Sequence, residues 1–260
     1  GKIYARFFIE KGKKMANIID GKLLASKIMK KLKEEVNSLK QEEICPKLAV
    51  IMVGNDKASE VYVRNKSKAC NEVGIEFEEF ILKEDITMQQ LLAIIEKLNN
   101  RKDIHGILLQ SPIPSSLDIN EAFRTISPQK DVDGFNPVNV GKLVLNQDTF
   151  VSCTPYGIMK MFEEYNIDLT GKNVVILGRS NIVGKPLIHC CLNKNATVTS
   201  CHSKTQNLAQ KAKEADGFVF GTPVYYAHPS GRVLSFLDRA FYSGSGAFKF
   251  KPGASVAVAR

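Results

Sequence analysis

The sequence predicts an α/β protein with an N-terminal three-layer α/β/α domain followed by a second, partial parallel-sheet domain. Three observations carry this prediction. Apolar β-rich runs alternate with amphipathic helical stretches up to Gln110, in a βαβαβ order that places parallel strands between two layers of helix. Farther on, Val174-Val175-Ile176-Leu177 breaks at Gly178 into a short loop and a helix start. The chain also has 260 residues, 44% of them hydrophobic, enough for one large or two modest cores.

Residues 1–14 are basic and aromatic, too poor in apolar residues for a signal peptide, and precede Met15-Ala16-Asn17, which reads as a natural start. They are expected to form a disordered extension. Leu23 to Leu39 carries apolar residues at helical spacing among lysines and glutamates, giving an amphipathic helix. Leu48-Ala49-Val50-Ile51-Met52-Val53 has no polar alternation and reads as a buried strand ending at Gly54. Asn55-Asp56 turns the chain, and Ala58 to Val73 is a helix stopped by Gly74. Ile75–Leu82 is a second strand, Thr87–Leu98 a second amphipathic helix, and Gly106–Gln110 a third strand that the following Pro112 and Pro114 cannot continue.

The net charge of +9 sits at the ends of the chain. Residues 1–14 hold five Lys/Arg against Glu10 and residues 217–260 hold five against Asp238, so the ends carry +4 each and the body between them is +1. That distribution argues against a nucleic-acid partner. No apolar stretch is long enough to span a membrane. The six cysteines lack Cys-x-x-Cys pairs and suit reduced thiols in the cytoplasm, and the four scattered histidines offer no metal-ligand spacing.

The run from Val174 to Pro186 reads as strand, phosphate-binding loop and helix start, with backbone N–H groups at a helix N-terminus able to face a pyrophosphate. Its strand is expected to be buried on both faces. Ser180 stands where the common dinucleotide fingerprint has its second glycine, so an ordinary strand-to-helix turn is an equal reading of the spacing. About twenty residues on, Ala196–Cys201 reads as a second strand, where an NAD-preferring site carries an acid for the ribose hydroxyls. Here His202-Ser203-Lys204 follows, with Arg179 in the loop; donors and cations suit a 2′-phosphate, hence NADP over NAD.

Tyr62 and Lys66, four residues apart, share a helix face, which by itself is as readily a solvated surface as a site. Gln110 falls at a carboxyl end of the sheet, where ligands of open α/β sheets bind. Lys130-Asp131-Val132-Asp133-Gly134-Phe135 places two carboxylates one residue apart; its plain reading is a charged turn before Gly134.

Taken together, Asp20-Gly21-Lys22, Val53-Gly54, Tyr62-Val63-x-x-Lys66, Gln110-x-Pro112-x-Pro114, Lys130–Phe135, Cys153-Thr154-Pro155 and Gly178-Arg179-Ser180-x-x-Val183-Gly184-x-Pro186 resemble the bifunctional methylenetetrahydrofolate dehydrogenase/methenyltetrahydrofolate cyclohydrolase family. The resemblance covers about Met15 to Asp216. It implies a folate-binding catalytic domain over residues 15–150, a partial Rossmann-type NADP-binding domain over 151–216, a folate site in the cleft between them, and a homodimer. Lys66 matches the family's catalytic lysine and Gln110 the residue that orients it. Tyr62 matches the residue whose ring stacks on the folate, and Asp133 the carboxylate that accepts from the pterin's amino edge. Gly178, Arg179, Ser180, Val183, Gly184 and Ser203 fall at cofactor-binding positions.

After Ala215-Asp216 the resemblance breaks. Gly217–Tyr226, with Ser235-Phe236-Leu237-Asp238-Arg239 and Lys251-Pro252-Gly253-Ala254, resembles flavodoxin-like NADPH-dependent FMN reductases. That implies FMN as an alternative cofactor, for which Gly54-Asn55-Asp56-Lys57-Ala58-Ser59 is a poor phosphate loop. Gly217–Phe220 is expected to supply one further strand to the NADP-binding sheet.

Overall fold

A computed structural model describes residues 4–6, 19–216, 218–225, 228–229 and 253–259. In chain order the elements are β1 (Tyr4–Arg6), α1 (Gly21–Gln41), β2 (Lys47–Val53), α2 (Lys57–Val73), β3 (Glu76–Leu82), α3 (Met88–Asn100), β4 (Gly106–Leu109), α4 (Ile119–Thr125), α5 (Pro137–Val144), α6 (Cys153–Glu164), β5 (Asn173–Leu177), α7 (Gly184–Leu192), β6 (Thr197–Cys201), α8 (Leu208–Glu214), β7 (Phe218–Tyr225), β8 (His228–Pro229) and β9 (Gly253–Ala259). The chain divides into two compact units, residues 27–153 and residues 1–26 with 154–260.

The unit of residues 27–153 is built on a parallel sheet of order β3-β2-β4. Successive side chains of β2 serve opposite faces, as the period of a strand requires. Ala49, Ile51 and Val53 pack with Leu91, Ile95 and Leu98 of α3 and with Ala122 and Phe123 of α4. Val50 and Met52 pack with Val63 of α2. Hence the unbroken apolar run: both faces are covered, and each fully buried Val, Leu or Ile contributes about 1.5–3 kcal/mol. The helix boundaries follow from local chemistry. Asp56 accepts from Ser59 N at 2.8 Å to cap α2, which ends at Gly74 in the left-handed conformation, and Thr87 with Gln90 forms a capping box at α3.

In the other unit, β5 and β6 pair in parallel, with α7 between them in sequence. The strand β5 is less buried than its apolar sequence predicts: only Ile176 is buried, and Leu177 is half exposed. Among the described residues β5 has β6 as its one strand partner, so the second neighbour that would cover it is not supplied. The expected extra strand does form, as β7, but it pairs in parallel with β9 and antiparallel with β8 rather than with β5. Backbone pairing between Asp216 N and Asn173 O at 3.1 Å brings the chain beside the start of β5 just before β7 begins.

Two expectations about the N-terminus need correction. Tyr4–Arg6 is not disordered; it forms an antiparallel strand with β9. Residues 19 and 20 group with the second unit rather than with residues 27–153, because Ile19 is buried against Met161, Tyr165 and Ile167 and Asp20 N donates to the Tyr165 hydroxyl at 2.6 Å. The segment 235–239 and residues 251 and 252 lie outside the described residues.

Candidate functional site

In the unit of residues 27–153, α2 presents Ser59, Val63, Lys66 and Cys70 along one stripe, with spacings of four, three and four residues. Tyr62 stands at the stripe's rim and is 40% exposed. Lys66 Nζ donates to Gln110 Oε1 at 2.9 Å. Gln110 follows directly on β4, is buried, and is held from both ends: its N–H donates to the Ile51 carbonyl at 2.8 Å and its Nε2 to the Ser111 carbonyl at 2.7 Å. Because Nε2 is committed to Ser111, Oε1 faces the lysine.

Burial pushes the Lys66 amine below the ordinary lysine value, against the opposing pull of the Asp133 charge. Burial likewise pushes the Asp133 carboxyl up to about 6; the Lys66 charge opposes that rise and the Asp131 charge adds to it. Two groups of opposite charge are thus both moved towards neutrality, the signature of desolvation exceeding attraction. The Cys70 thiol is raised by burial as well. Lys66, Gln110 and Asp133, singled out separately by the sequence, come together here.

Sequence reasoning missed Ser59. Its hydroxyl is buried and has no hydrogen-bond partner among the described residues, which is costly unless something else meets it. The available signal was spacing, a hydroxyl seven residues before Lys66 on the same helix. The Lys130–Phe135 turn separates into parts. Lys130 Nζ donates to the carbonyls of Asn99 at 2.8 Å and Arg101 at 2.6 Å and so caps the end of α3, leaving Asp133 as the carboxylate beside Lys66. Gly134 has φ +66°, and a Cβ there would meet the Phe150 carbonyl.

In the other unit, Gly178 follows β5 with φ +135°, and its N–H donates to the Cys201 carbonyl at 2.8 Å, setting Arg179 beside the turn at His202-Ser203-Lys204. Arg179 and Ser203 are exposed. That turn is closed by Thr205, whose hydroxyl accepts from His202 N at 2.9 Å. Ser180 changes one expectation: its Oγ accepts from Val183 N and Gly184 N, both at 3.2 Å, so these two N–H groups point at the serine rather than outward. A side chain at Gly184 would run into the Gly178 carbonyl, whereas the Cβ position at Gly178 opens onto empty space. An open backbone at the carboxyl end of β5, ahead of the nine-residue helix α7, fits the close approach of a dinucleotide's pyrophosphate.

Comparison with known proteins agrees with both halves of this geometry. The model of the tetrahydrofolate dehydrogenase/cyclohydrolase catalytic domain matches residues 19–133, and that of the family's NAD(P)-binding domain matches residues 152–224. The second match runs past Asp216, so the flavodoxin-like reading of the segment that follows, and with it FMN, finds no support. The bifunctional protein FolD of Geotalea daltonii is 52% identical over 202 residues, 78% of this chain and 72% of that protein. A crystal structure of the bifunctional FolD dehydrogenase/cyclohydrolase from Campylobacter jejuni superposes with a TM-score of 0.76 at 46% identity, covering 77% of this chain and 72% of that one. The Trypanosoma brucei methylenetetrahydrofolate dehydrogenase-cyclohydrolase, complexed with NADP and an inhibitor, gives 0.73 at 32% identity over 82% of this chain and 70% of that one. The chain belongs to the tetrahydrofolate dehydrogenase/cyclohydrolase family.

Proposed function

We propose that the chain oxidises 5,10-methylenetetrahydrofolate with NADP to the 5,10-methenyl cation and hydrolyses that cation to 10-formyltetrahydrofolate, the unit of residues 27–153 holding the folate and residues 154–216 the cofactor. The observation that carries this reading is the Lys66–Gln110 hydrogen bond with Asp133 close enough to perturb the amine, inside the segment matched by the family's catalytic domain.

Bound NADP supplies the acceptor for the hydride that leaves the methylene carbon. Gly178, Arg179 and Ser180 would hold its pyrophosphate on a loop whose turn Val183 and Gly184 close through Ser180, and Arg179 with Ser203 its 2′-phosphate, the charge-assisted contacts that favour NADP over NAD. Tyr62 stacks on the folate ring, and Asp133 accepts from the pterin's amino edge. With its carboxyl held at about 6, Asp133 is mainly ionised at pH 7 and accepts on both oxygens. In the second step water adds to the methenyl carbon. Lys66 Nζ takes a proton from the adding water and delivers one to the ring nitrogen as the C–N bond opens; a second proton is released to solvent. An ordinary lysine is too basic to give and take protons near neutral pH; burial moves Lys66 towards that range and the cationic substrate moves it further. Gln110 keeps the amine aimed.

The six free thiols suit a reducing compartment, which supports a cytoplasmic location. The homodimer is proposed on the family resemblance.

Two assays on purified protein test the reading: NADPH formation from 5,10-methylenetetrahydrofolate, and decay of 5,10-methenyltetrahydrofolate. Both should proceed; folded protein with neither activity contradicts the proposal. NADP should outperform NAD, and the double variant Arg179→Ala, Ser203→Ala should erase most of that preference. A preference left intact would mean that the 2′-phosphate is held elsewhere.

A further inference from the structure

The two carboxylates of the Lys130–Phe135 turn have opposite fates. Asp133 is half-buried beside Lys66, whereas Asp131 is 2% exposed and points away into a polar knot. Its Oδ2 accepts from Asn136 N at 2.8 Å and from Asn139 Nδ2 at 2.9 Å. Asn136 is the N-cap of α5 and Asn139 lies in its first turn, so the carboxylate sits against the positive end of that helix. Both asparagines are tied further. Asn136 Nδ2 donates to the Ile126 carbonyl at 2.9 Å and Asn139 Nδ2 to that of Pro128 at 2.9 Å, while Thr149 Oγ1 donates to Asn139 Oδ1 at 3.0 Å.

The backbone of the same turn is bound to the strand that carries Gln110. Ile107 N donates to the Lys130 carbonyl at 2.7 Å, and Ile107 and Asp131 form a parallel bridge beside β4. Ile107 lies three residues before Gln110. The turn therefore has two anchors, β4 through its backbone and the α5 N-terminus through the Asp131 carboxylate, and Asp133 is the first side chain beyond them that turns towards Lys66.

We propose that Asp131 is a positioning residue for the folate site: by joining the N-terminus of α5 to the turn that is bridged to β4, it fixes Asp133 in register with Gln110 and Lys66. This rests on the folate reading of the site. The sequence Asp131-Val132-Asp133 then divides its labour, one carboxylate locked into the scaffold and the other free to meet the pterin. Val132 between them is partly buried and packs against the cluster of Val63 and Leu108, separating the two acids. The charged and titratable groups around Asp133 are Lys66 from α2, Asp131 from its own turn, and Cys153.

The test uses the full chain and three variants: Asp131→Asn, Asn139→Ala, and the double variant Asp131→Asn, Asn139→Asp, which reverses the carboxylate–amide pair. Asp131→Asn should raise the KM for 5,10-methylenetetrahydrofolate about tenfold or more and leave the KM for NADP within about twofold. Asn139→Ala, which changes no charge, should raise the folate KM about threefold, and the double variant should recover part of the loss. In the unliganded protein, carboxyl NMR of Asp133 should show its titration midpoint displaced in Asn139→Ala. Equal changes in both KM values that merely track a lowered Tm, or an Asp133 titration unchanged in Asn139→Ala, overturn the proposal. Absence of folate turnover in the unsubstituted chain would instead overturn the functional reading; the carboxyl titration, which needs no substrate, would still decide the role of Asp131.

Discussion

The two ends of the β3-β2-β4 sheet are charged in opposite ways. At the amino end, Arg101 grips Glu78 through both guanidinium nitrogens at 2.7 and 2.8 Å and reaches Asp103 at 2.6 Å, while Lys47 joins Asp103 at 3.2 Å and Glu76 at 2.9 Å. Here partners win over burial: the Arg101 and Lys47 hydrogen bonds hold the Asp103 carboxyl far below the usual carboxylate range, and the Arg101 hydrogen bond lowers Glu78. At the carboxyl end burial wins. Lys66 is lowered, Asp133 is raised to about 6, and the Ser59 hydroxyl has no partner among the described residues. One end fixes its charges and joins strands; at the other, burial moves Lys66 and Asp133 towards their neutral forms. Partners thus shift Asp103 and Glu78 towards their charged forms, whereas desolvation shifts Lys66 and Asp133 towards their neutral ones.

Lys66→Met should have the largest effect. Removing the amine should slow methenyl hydrolysis about a hundredfold or more while Tm holds or rises, since a desolvated charge is replaced by an apolar chain of similar length. Hydrolysis at an undiminished rate rejects the assignment of Lys66.

Asp133→Asn should come next. A carboxyl held at about 6 when folded, against 3.8 for the free group, makes the folded protein the tighter proton binder. Ionised Asp133 therefore opposes folding by an amount that grows as pH rises from about 4 to about 6 and stays constant above it. The variant should gain about 3 kcal/mol at pH 7 and lose that segment of the pH dependence in urea unfolding. It should also weaken folate binding about tenfold or more, by loss of a charge-assisted acceptor. With the Asp133 charge gone, Lys66 should titrate lower still. A variant less stable than its parent at pH 7 would place Asp133 with the structural charges of the opposite end.

The smallest effect belongs to that opposite end. Arg101→Met should lower Tm by a small amount that shrinks in high salt, because these groups are solvent-accessible and screened. It should leave kcat and both KM values unchanged. A change in turnover would show that the two ends are coupled.

How much of this was legible in the sequence depends on what each residue answers to. The run Leu48–Val53 announced a two-faced buried strand because nothing but burial explains six apolar residues in a row. Gln110 was placed at the sheet edge by the prolines after it. The Tyr62/Lys66 pair remained ambiguous, since spacing establishes a shared face but not what that face meets; at Lys66 it meets Gln110. Ser59 was invisible for the converse reason, because a serine near a helix start is commonplace until its hydroxyl proves buried and unpartnered. The roles of Asp131 and Asp133 were not separable, as both sit in one charged turn and differ only in which tertiary partners they reach. The second unit was least legible. The strand β7 was foreseen from its β-rich composition, but composition carries no information on the pairing partner, and β7 joined β9 rather than β5.

On the proposed function, burial, and not merely position, makes Lys66 able to move protons. It is tested most directly by following the ε-carbon of Lys66 by NMR through a pH titration of the unliganded protein, with Lys66→Met used to assign the signal. Lys66 should titrate below the ordinary lysine value of 10.5. A Lys66 that titrates at or above 10.5 would contradict that role for burial.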